Sequence, residues 1–376
     1  MEPRDPVDWI ALNFLSGLGP ATLLPLAEAR GGPAEVAYRL PLAELLRVAR
    51  RQPPDVDRLA RARKGLRRRA EREARRCRRA GIDLVCWDST GYPELLRRIA
   101  VPPLLLYVRG CLEPDPLRIG VVGSRTPTGY GRRVAVGLGS GLAARGAQVV
   151  SGGARGVDTL AHQGALEGGG TTVAVLGSGL AIPYPEENAG LFERLADGGA
   201  VVSEFPLDEA PRRENFPRRN RLISGLAVAL VVVEAAERSG SLITASHALE
   251  QGREVMAVPG PVSSAKSEGC NRLIQQGAKL VQNIEDIFDD LPPGHHRPGA
   301  PPSLSTPAPR LAGLSPDERS VLKMMDAVEP VHLDDLADRA PFGIGRLQTA
   351  LFGLEVRGAV EQTPGRYYLL RPRKER

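Results

Sequence analysis

Aromatic residues are scarce in this chain: seven Phe, seven Tyr and two Trp among 376 residues, 4% of the sequence. A protein so poor in rings has few platforms on which to stack bases. Cysteine is scarcer still. Cys77, Cys86, Cys111 and Cys270 are scattered with no CxxC pair, so neither a metal site nor a disulfide framework is indicated. No stretch approaches the roughly 18 to 20 apolar residues of a membrane span, and the opening MEPRDPVDWI lacks a basic-then-apolar signal pattern. A cytoplasmic protein without membrane contact is expected. GxxxxGK[ST] is absent, which closes the P-loop route to ATP.

What is abundant is arginine, unevenly placed. The net charge is +6, yet the stretch from Arg47 to Arg79 holds 15 basic and 4 acidic residues, a local +11, leaving the rest of the chain at −5. A block of this kind suits a polyanion. It is equally a solvated helix face: Leu59, Ala62, Leu66, Ala70, Ala74 and Cys77 recur every three or four residues and supply a packing stripe on one arginine-rich helix over 47–79.

Four regions follow from composition and periodicity. Residues 1–85 read as short helices broken by glycine and proline. There LSGLGPATLLPLAEARGG has the helix, Gly-x-Gly hairpin, helix look of SAM or helix-hairpin-helix modules, either a phosphate-facing turn or simply a turn. Residues 86–290 form the main α/β region. IDLVCW and PPLLLYVRG are short strands leading into it, and the apolar runs LRIGVVG, AQVVSGG, TTVAVLG, AVVSEF, VALVVVEA, EVMAVPG and AKLVQ alternate with helical stretches, the pattern of a doubly wound parallel sheet. Residues 291–312 are a proline-rich linker, with seven prolines between Leu291 and Arg310. Residues 313–376 read as three helices and a hairpin turning at Pro364-Gly365, a winged helix. Its presumed recognition helix offers only Arg346, Gln348 and Arg357 as donors, which leaves weak DNA contact and protein contact open beside base reading.

Ligands of such sheets sit beyond the carboxyl ends of the strands. The first loop there, VVGSRTPTGYG, brings Gly123, Ser124 and Arg125. It is not GxGxxG, and the second strand ends in Ser151-Gly152-Gly153 where a dinucleotide binder carries an acidic ribose ligand, so NAD is disfavoured and no cofactor is expected. In place of those features stand Arg125 in one loop and Arg155 in the next. A third element, FPRRNRLISGL, clusters Arg218, Arg219, Asn220 and Arg221 behind Phe216. Ion pairs to Glu204 or Glu214 would account for one or two of these arginines. A fourth sets Ser239, Gly240 and Ser241 at a strand-to-helix junction. Several anion subsites along one edge suit a polymer better than a mononucleotide.

GSR, SGGARGVDTLAHQGAL, SEFP, FPRRNRLISGL, SGSLITA and VPGPVSSAKSEGCNRLIQQGA, in this order and with GYPELLRRIAVPPLLLYVRG upstream, resemble the DNA-processing protein A family (DprA, also called Smf). The resemblance is dense from Gly91 to Ile287. It implies an extended Rossmann-like domain that binds single-stranded DNA as a homodimer in natural transformation, protects it without turnover, and helps load a RecA-type recombinase. A single-strand-binding protein is a further implied partner. Arg125 and the basic residues of FPRRNR are its expected strand ligands, with Gly123, Ser124, Gly152, Gly153, Arg155, Phe216, Asn220 and Ser241 around them. Phe216 is the expected stacking ring. A two-fold interface on AKLVQNIEDIFDDL would use Leu280, Val281, Ile284, Ile287 and Phe288, unless these pack within their own domain. The alternative function is enzymatic. Phosphoribohydrolases of the lysine-decarboxylase-like type have a related fold, and Asp158 and His162, four apart on one helix, could be read as an acid/base pair. The PGGxGTxxE pattern of those enzymes is absent.

Overall fold

All seven apolar runs of the α/β region become strands of one sheet. The computed structural model describes residues 5–15, 18–48, 56–291, 314–325, 330–357, 359–363 and 365–370. The chain divides into two compact bodies, Met1–Pro127 with Val134–Pro301, and Pro302–Arg376 with Thr128–Arg133.

The first body opens with α1 (Pro6–Asn13), α2 (Pro20–Ala29), a π-helical turn at Glu35–Arg39, α3 (Leu42–Val48), α4 (Val56–Arg63) and α5 (Leu66–Arg79). The single arginine-rich helix expected over 47–79 is the end of α3 followed by two helices, α4 and α5. The last two break at Gly65, whose φ of +67° lies in the left-handed region that a side chain disfavours. Residues 49–55 of that stretch lie outside the described residues. The predicted stripe is otherwise the buried one: Leu59, Leu66, Ala70, Ala74 and Cys77 pack inward and Ala62 is half-buried.

The sheet follows as β1 (Ile82–Cys86), α6 (Glu94–Arg97), β2 (Leu105–Gly110), β3 (Arg118–Gly123), α7 (Gly129–Ala144), β4 (Gln148–Ser151), α8 (Val157–Glu167), β5 (Thr172–Val175), α9 (Ala189–Gly198) and β6 (Ala200–Ser203). It continues with α10 (Asn215–Leu226), β7 (Ala229–Val233), α11 (Gly240–Glu250), β8 (Glu254–Ala257), α12 (Glu268–Gln275), β9 (Lys279–Leu280) and α13 (Ile284–Asp289). The order is β1-β2-β6-β5-β4-β3-β7-β8-β9, parallel from β6 to β9, with β1 and β2 added antiparallel at one edge. Strands β4, β5 and β6 lie to one side of β3, and β7 starts the other side. The chain therefore reverses its winding between β3 and β7, and the loops leaving these two strands part and open a crevice.

The expected boundary after residue 85 falls inside β1, a correction with a clear cause. Trp9, Ile10 and Leu12 of α1 and Leu66 and Ala70 of α5 share one apolar cluster with Leu105 and Tyr107 of β2 and Val201 of β6. Leu106 and Val108 of β2 point to the opposite face and join a second cluster with Val202, Leu222 and Leu230. The period-2 alternation of β2 thus ties the N-terminal helices to the sheet on one face and α10 to it on the other.

The second body holds α14 (Pro316–Met324), β10 (Val331–His332), α15 (Leu333–Arg339), α16 (Ile344–Val356), β11 (Val360–Thr363) and β12 (Tyr367–Leu370), with sheet order β10-β12-β11. Ser315 caps α14 and Glu318 returns a carboxylate to the Ser315 N–H, a reciprocal cap. Val321, Leu336, Leu347, Leu351 and Leu354 form its core. This is the winged helix. Apart from Leu291, which is buried, the linker lies outside the described residues.

Candidate nucleic-acid interface

A cleft of about 590 Å³ occupies the crevice at the carboxyl end of β3 and β7. Gly123 ends β3 against β7 so closely that a Cβ there would lie 1.8 Å from the Val233 carbonyl oxygen. That approach sets the floor of the cleft. Ser124 turns the chain: its carbonyl accepts the N–H of Val157 at the start of α8, and its hydroxyl accepts the N–H of Thr126. Arg125 then projects outward. The Nζ of Lys266, in the segment between β8 and α12, donates to the Thr126 carbonyl and pins this loop.

Helix α11 aims its first turn into the cleft, where Ser239, Gly240, Ser241 and Thr244 form one wall. Ser239 caps the helix, and its Oγ lies 2.7 Å from that of Ser241. The unsatisfied N–H groups and the positive end of the dipole favour an anion here. Phe216 and Pro217 of α10 stand opposite, with Asn220 deeper, its amide bonded to the Gly240 carbonyl at 3.3 Å.

The guanidiniums fare unequally. Arg125 is exposed and forms no ion pair among the described residues; its Cζ lies 5.8 Å from the centre of the Phe216 ring. Arg155, at the rim, is paired with Glu187 through two hydrogen bonds, one of 2.7 Å. Arg218 is 46% exposed and its Nε lies 3.3 Å from the Glu204 carboxylate, which also takes Arg221 at 2.7 Å. Arg219 is only 4% exposed and donates to the carbonyls of Gly152 (2.6 Å) and Val175. Burial pushes its pKa down to about 10, so it stays charged at neutral pH while holding the second glycine loop.

Arg219 is therefore a buried tie rather than an exposed strand ligand, a correction to the expectation for FPRRNR. The ion-pair reading explains two of the other arginines, and helix geometry separates the third: consecutive residues point about 100° apart. Gly152 and Gly153 are likewise occupied. Gly152 donates to Asp158 at 3.1 Å, and the Gly153 carbonyl accepts from Asn188 at 2.9 Å. Asp158 also takes the Ala154 N–H, and burial raises its pKa. His162 does not meet Asp158 as an acid/base partner. Fully buried, its Nδ1 lies 2.7 Å from Thr172 Oγ1.

Two participants escaped the sequence reading. Tyr184, 40% exposed, sets its ring 5.7 Å from Phe216 and joins Arg125 and Arg155 around a smaller hollow of about 40 Å³. Arg213, exposed and in no ion pair among the described residues, lines the main cleft. Neither lies in a glycine loop, and Tyr184 reaches the site from the segment after β5. Among the described residues no cluster of His, Cys, Asp or Glu could hold a metal ion, and no helix is long and apolar enough to cross a membrane.

The expected dimer face is mostly interior. Val281, Ile287 and Phe288 are buried within their own body and Ile284 is half-buried; Leu280 alone of the five is exposed.

A mostly parallel Rossmann-like sheet with a crevice at its switch point lined by arginines and a helix N-terminus, joined on one chain to a winged helix, defines the class of protein. A family model described as DNA recombination-mediator protein A matches residues 83–292, and one described as the DprA winged helix domain matches residues 305–366. The chain belongs to this DNA-processing protein A family. It is 43% identical to Protein Smf of Escherichia coli over 298 residues, covering 77% of each chain. It is 42% identical to DNA processing protein DprA of Bacillus subtilis over 217 residues, 57% of this chain and 73% of that one. The structure of DprA from Streptococcus pneumoniae superposes with a TM-score of 0.67 at 32% identity, over 78% of this chain and 99% of that one. DNA processing protein A from Helicobacter pylori, described for its single-stranded DNA binding mode, superposes with a TM-score of 0.50 at 30% identity, over 54% of this chain and 93% of that one.

Proposed function

We propose that the switch-point cleft holds single-stranded DNA, and that the protein, acting as a cytoplasmic homodimer without turnover, protects incoming strands and helps deliver them to a RecA-type recombinase. The observation that carries this reading is the placing of Arg125, exposed and in no ion pair among the described residues, against Phe216 and Tyr184 at the mouth of a cleft faced by the α11 N-terminus. A guanidinium takes a phosphate while the neighbouring rings take a base, and this pairing suits a strand better than a free mononucleotide. The single-stranded DNA binding described for the Helicobacter pylori relative supports it.

Fluorescence anisotropy with a labelled oligo-dT at several salt concentrations tests the binding. Affinity should fall as salt rises, with a slope of about −0.7 per neutralised phosphate. Salt-independent binding, or none, overturns the reading. Incubation with nucleoside monophosphates should release no base; release that is lost in Asp158→Asn would establish the enzymatic alternative instead.

A further inference from the structure

We infer that the outer face of α5 is a second contact line for the same single strand, outside the cleft, and this rests on the function proposed above. Arg68, Arg72, Arg75 and Arg79 follow one another at four, three and four residues, which sets them within about 40° of a common line along a helix that rises 1.5 Å per residue. The row spans roughly 16 Å. Its direction is fixed by the opposite side, where Leu66, Ala70, Ala74 and Cys77 are buried.

All four are exposed, and none forms an ion pair among the described residues. Three of the other arginines on the same helix are engaged: Arg67 with Glu71 at 3.2 Å, Arg76 with Asp208 at 2.7 Å, and Arg69 over the Phe14 ring. Like charges at i,i+4 repel. A row of them in no ion pair among the described residues is a surface that gains from a polyanion, and with no ring in it the row can recognise a backbone but not bases.

The position of the row extends the cleft. Arg72 stands at the rim of a second hollow of about 610 Å³ between α5 and the segment from Glu204 to Arg218. That segment is a shared ridge: Arg218 faces this hollow, while Arg213 and Phe216 face the switch-point cleft. The floor of the hollow carries more carboxylate than guanidinium, since Arg212 pairs with Glu209 and Arg218 with Glu204, and Glu73, Asp208 and Glu214 also line it. A strand leaving Arg125 and Arg213 is not drawn into that floor. It crosses the ridge to the unpaired row on α5.

The test uses the full-length protein, oligo-dT of about six nucleotides, within the usual 4 to 16 of a single-strand site, and oligo-dT several times longer. In the variant R68Q/R72Q/R75Q/R79Q the short oligomer should bind as in the wild type. The long one should bind at least about tenfold more weakly at low salt, with a salt slope shallower by about 0.7 for each phosphate no longer neutralised. The variant with four lysines should restore long-oligomer binding. Unchanged long-oligomer affinity and slope, with short-oligomer binding intact, overturns the α5 line, and would leave the row to an acidic protein segment. Failure of the wild type to bind the short oligomer overturns the cleft reading, and this one with it.

Discussion

Arg125 and Phe216 are far apart in the chain, yet the guanidinium carbon of the first lies 5.8 Å from the ring centre of the second. Neither is needed to complete the core. Arg125→Ala should weaken single-stranded DNA binding by about 1–3 kcal/mol, the scale of a charge-assisted hydrogen bond, with unfolding by urea unchanged. Filter binding at fixed salt checks it. Because the two side chains touch, Arg125→Ala and Phe216→Ala should be non-additive, with a coupling of about 0.5 kcal/mol or more.

Arg218 and Arg219 are adjacent in sequence and should separate in experiment. Arg219→Ala leaves Asp158 and two buried carbonyls without their cation, and should cost about 3–5 kcal/mol of stability, the range for breaking a buried ionic contact. Arg218→Ala removes a half-exposed partner from Glu204, which keeps Arg221, and should cost less than about 1 kcal/mol. Chemical denaturation of both variants measures the contrast. A similar cost for both would refute the assignment of Arg219 as a buried tie.

Tyr184→Ala should weaken binding by about 1–3 kcal/mol if its ring takes a base beside Phe216. Tyrosine fluorescence gives an independent reading, since stacking should quench Tyr184 on addition of oligo-dT. No difference in quenching between wild type and Tyr184→Phe would remove Tyr184 from the site.

His162 should make the fold acid-sensitive. Burial, with the Arg219 charge in support, pushes its imidazole down to about 3 from 6.5. The unfolded chain therefore binds the extra proton between these values. Stability from the neutral ring is complete above about pH 6.5 and is lost as pH falls toward about 3, by up to about 1.4 kcal/mol per pH unit. Burial raises the Asp158 carboxyl, which acts with the opposite sign in acid, so the difference between wild type and His162→Gln isolates the imidazole. Equal pH slopes in urea unfolding would contradict the assignment.

Ile287→Ala should lower stability by about 2–5 kcal/mol, the usual cost of emptying a buried site, without changing the oligomeric state. Leu280→Asp, at the exposed end of the same segment, should leave stability nearly unchanged. Light scattering distinguishes the cases: dissociation by Ile287→Ala in a folded protein would restore that segment as an interface.

The architecture was legible because it is written locally. Apolar runs with β-branched residues, alternating with helical stretches, specify buried parallel strands, and each expected run of the α/β region is a strand. The motif series identified the family for the same reason: the glycine loops are short, contiguous and ordered along the chain. Even the packing stripe of α5 could be read from spacing alone, though its break at Gly65 could not, because a left-handed glycine is only one of the roles a glycine takes.

What the sequence by itself determined, then, was where strands, loops and helices fall and which family they compose. Which arginines are available to a ligand was decided only in three dimensions. FPRRNR looks like one basic cluster, but the helix turns Arg218 toward Glu204, Arg219 into the interior beneath Gly152, and Arg221 back to Glu204. Arg125 and Arg155 occupy equivalent loops, and Glu187 engages one of them. The reason is that a guanidinium's fate depends on carboxylates and carbonyls brought to it by distant segments, whereas secondary structure depends on neighbours within a few residues. Tyr184 shows the same rule from the other side, entering the site from a segment that carries no motif and meeting Phe216 only because the sheet brings the ends of β5 and α10 together.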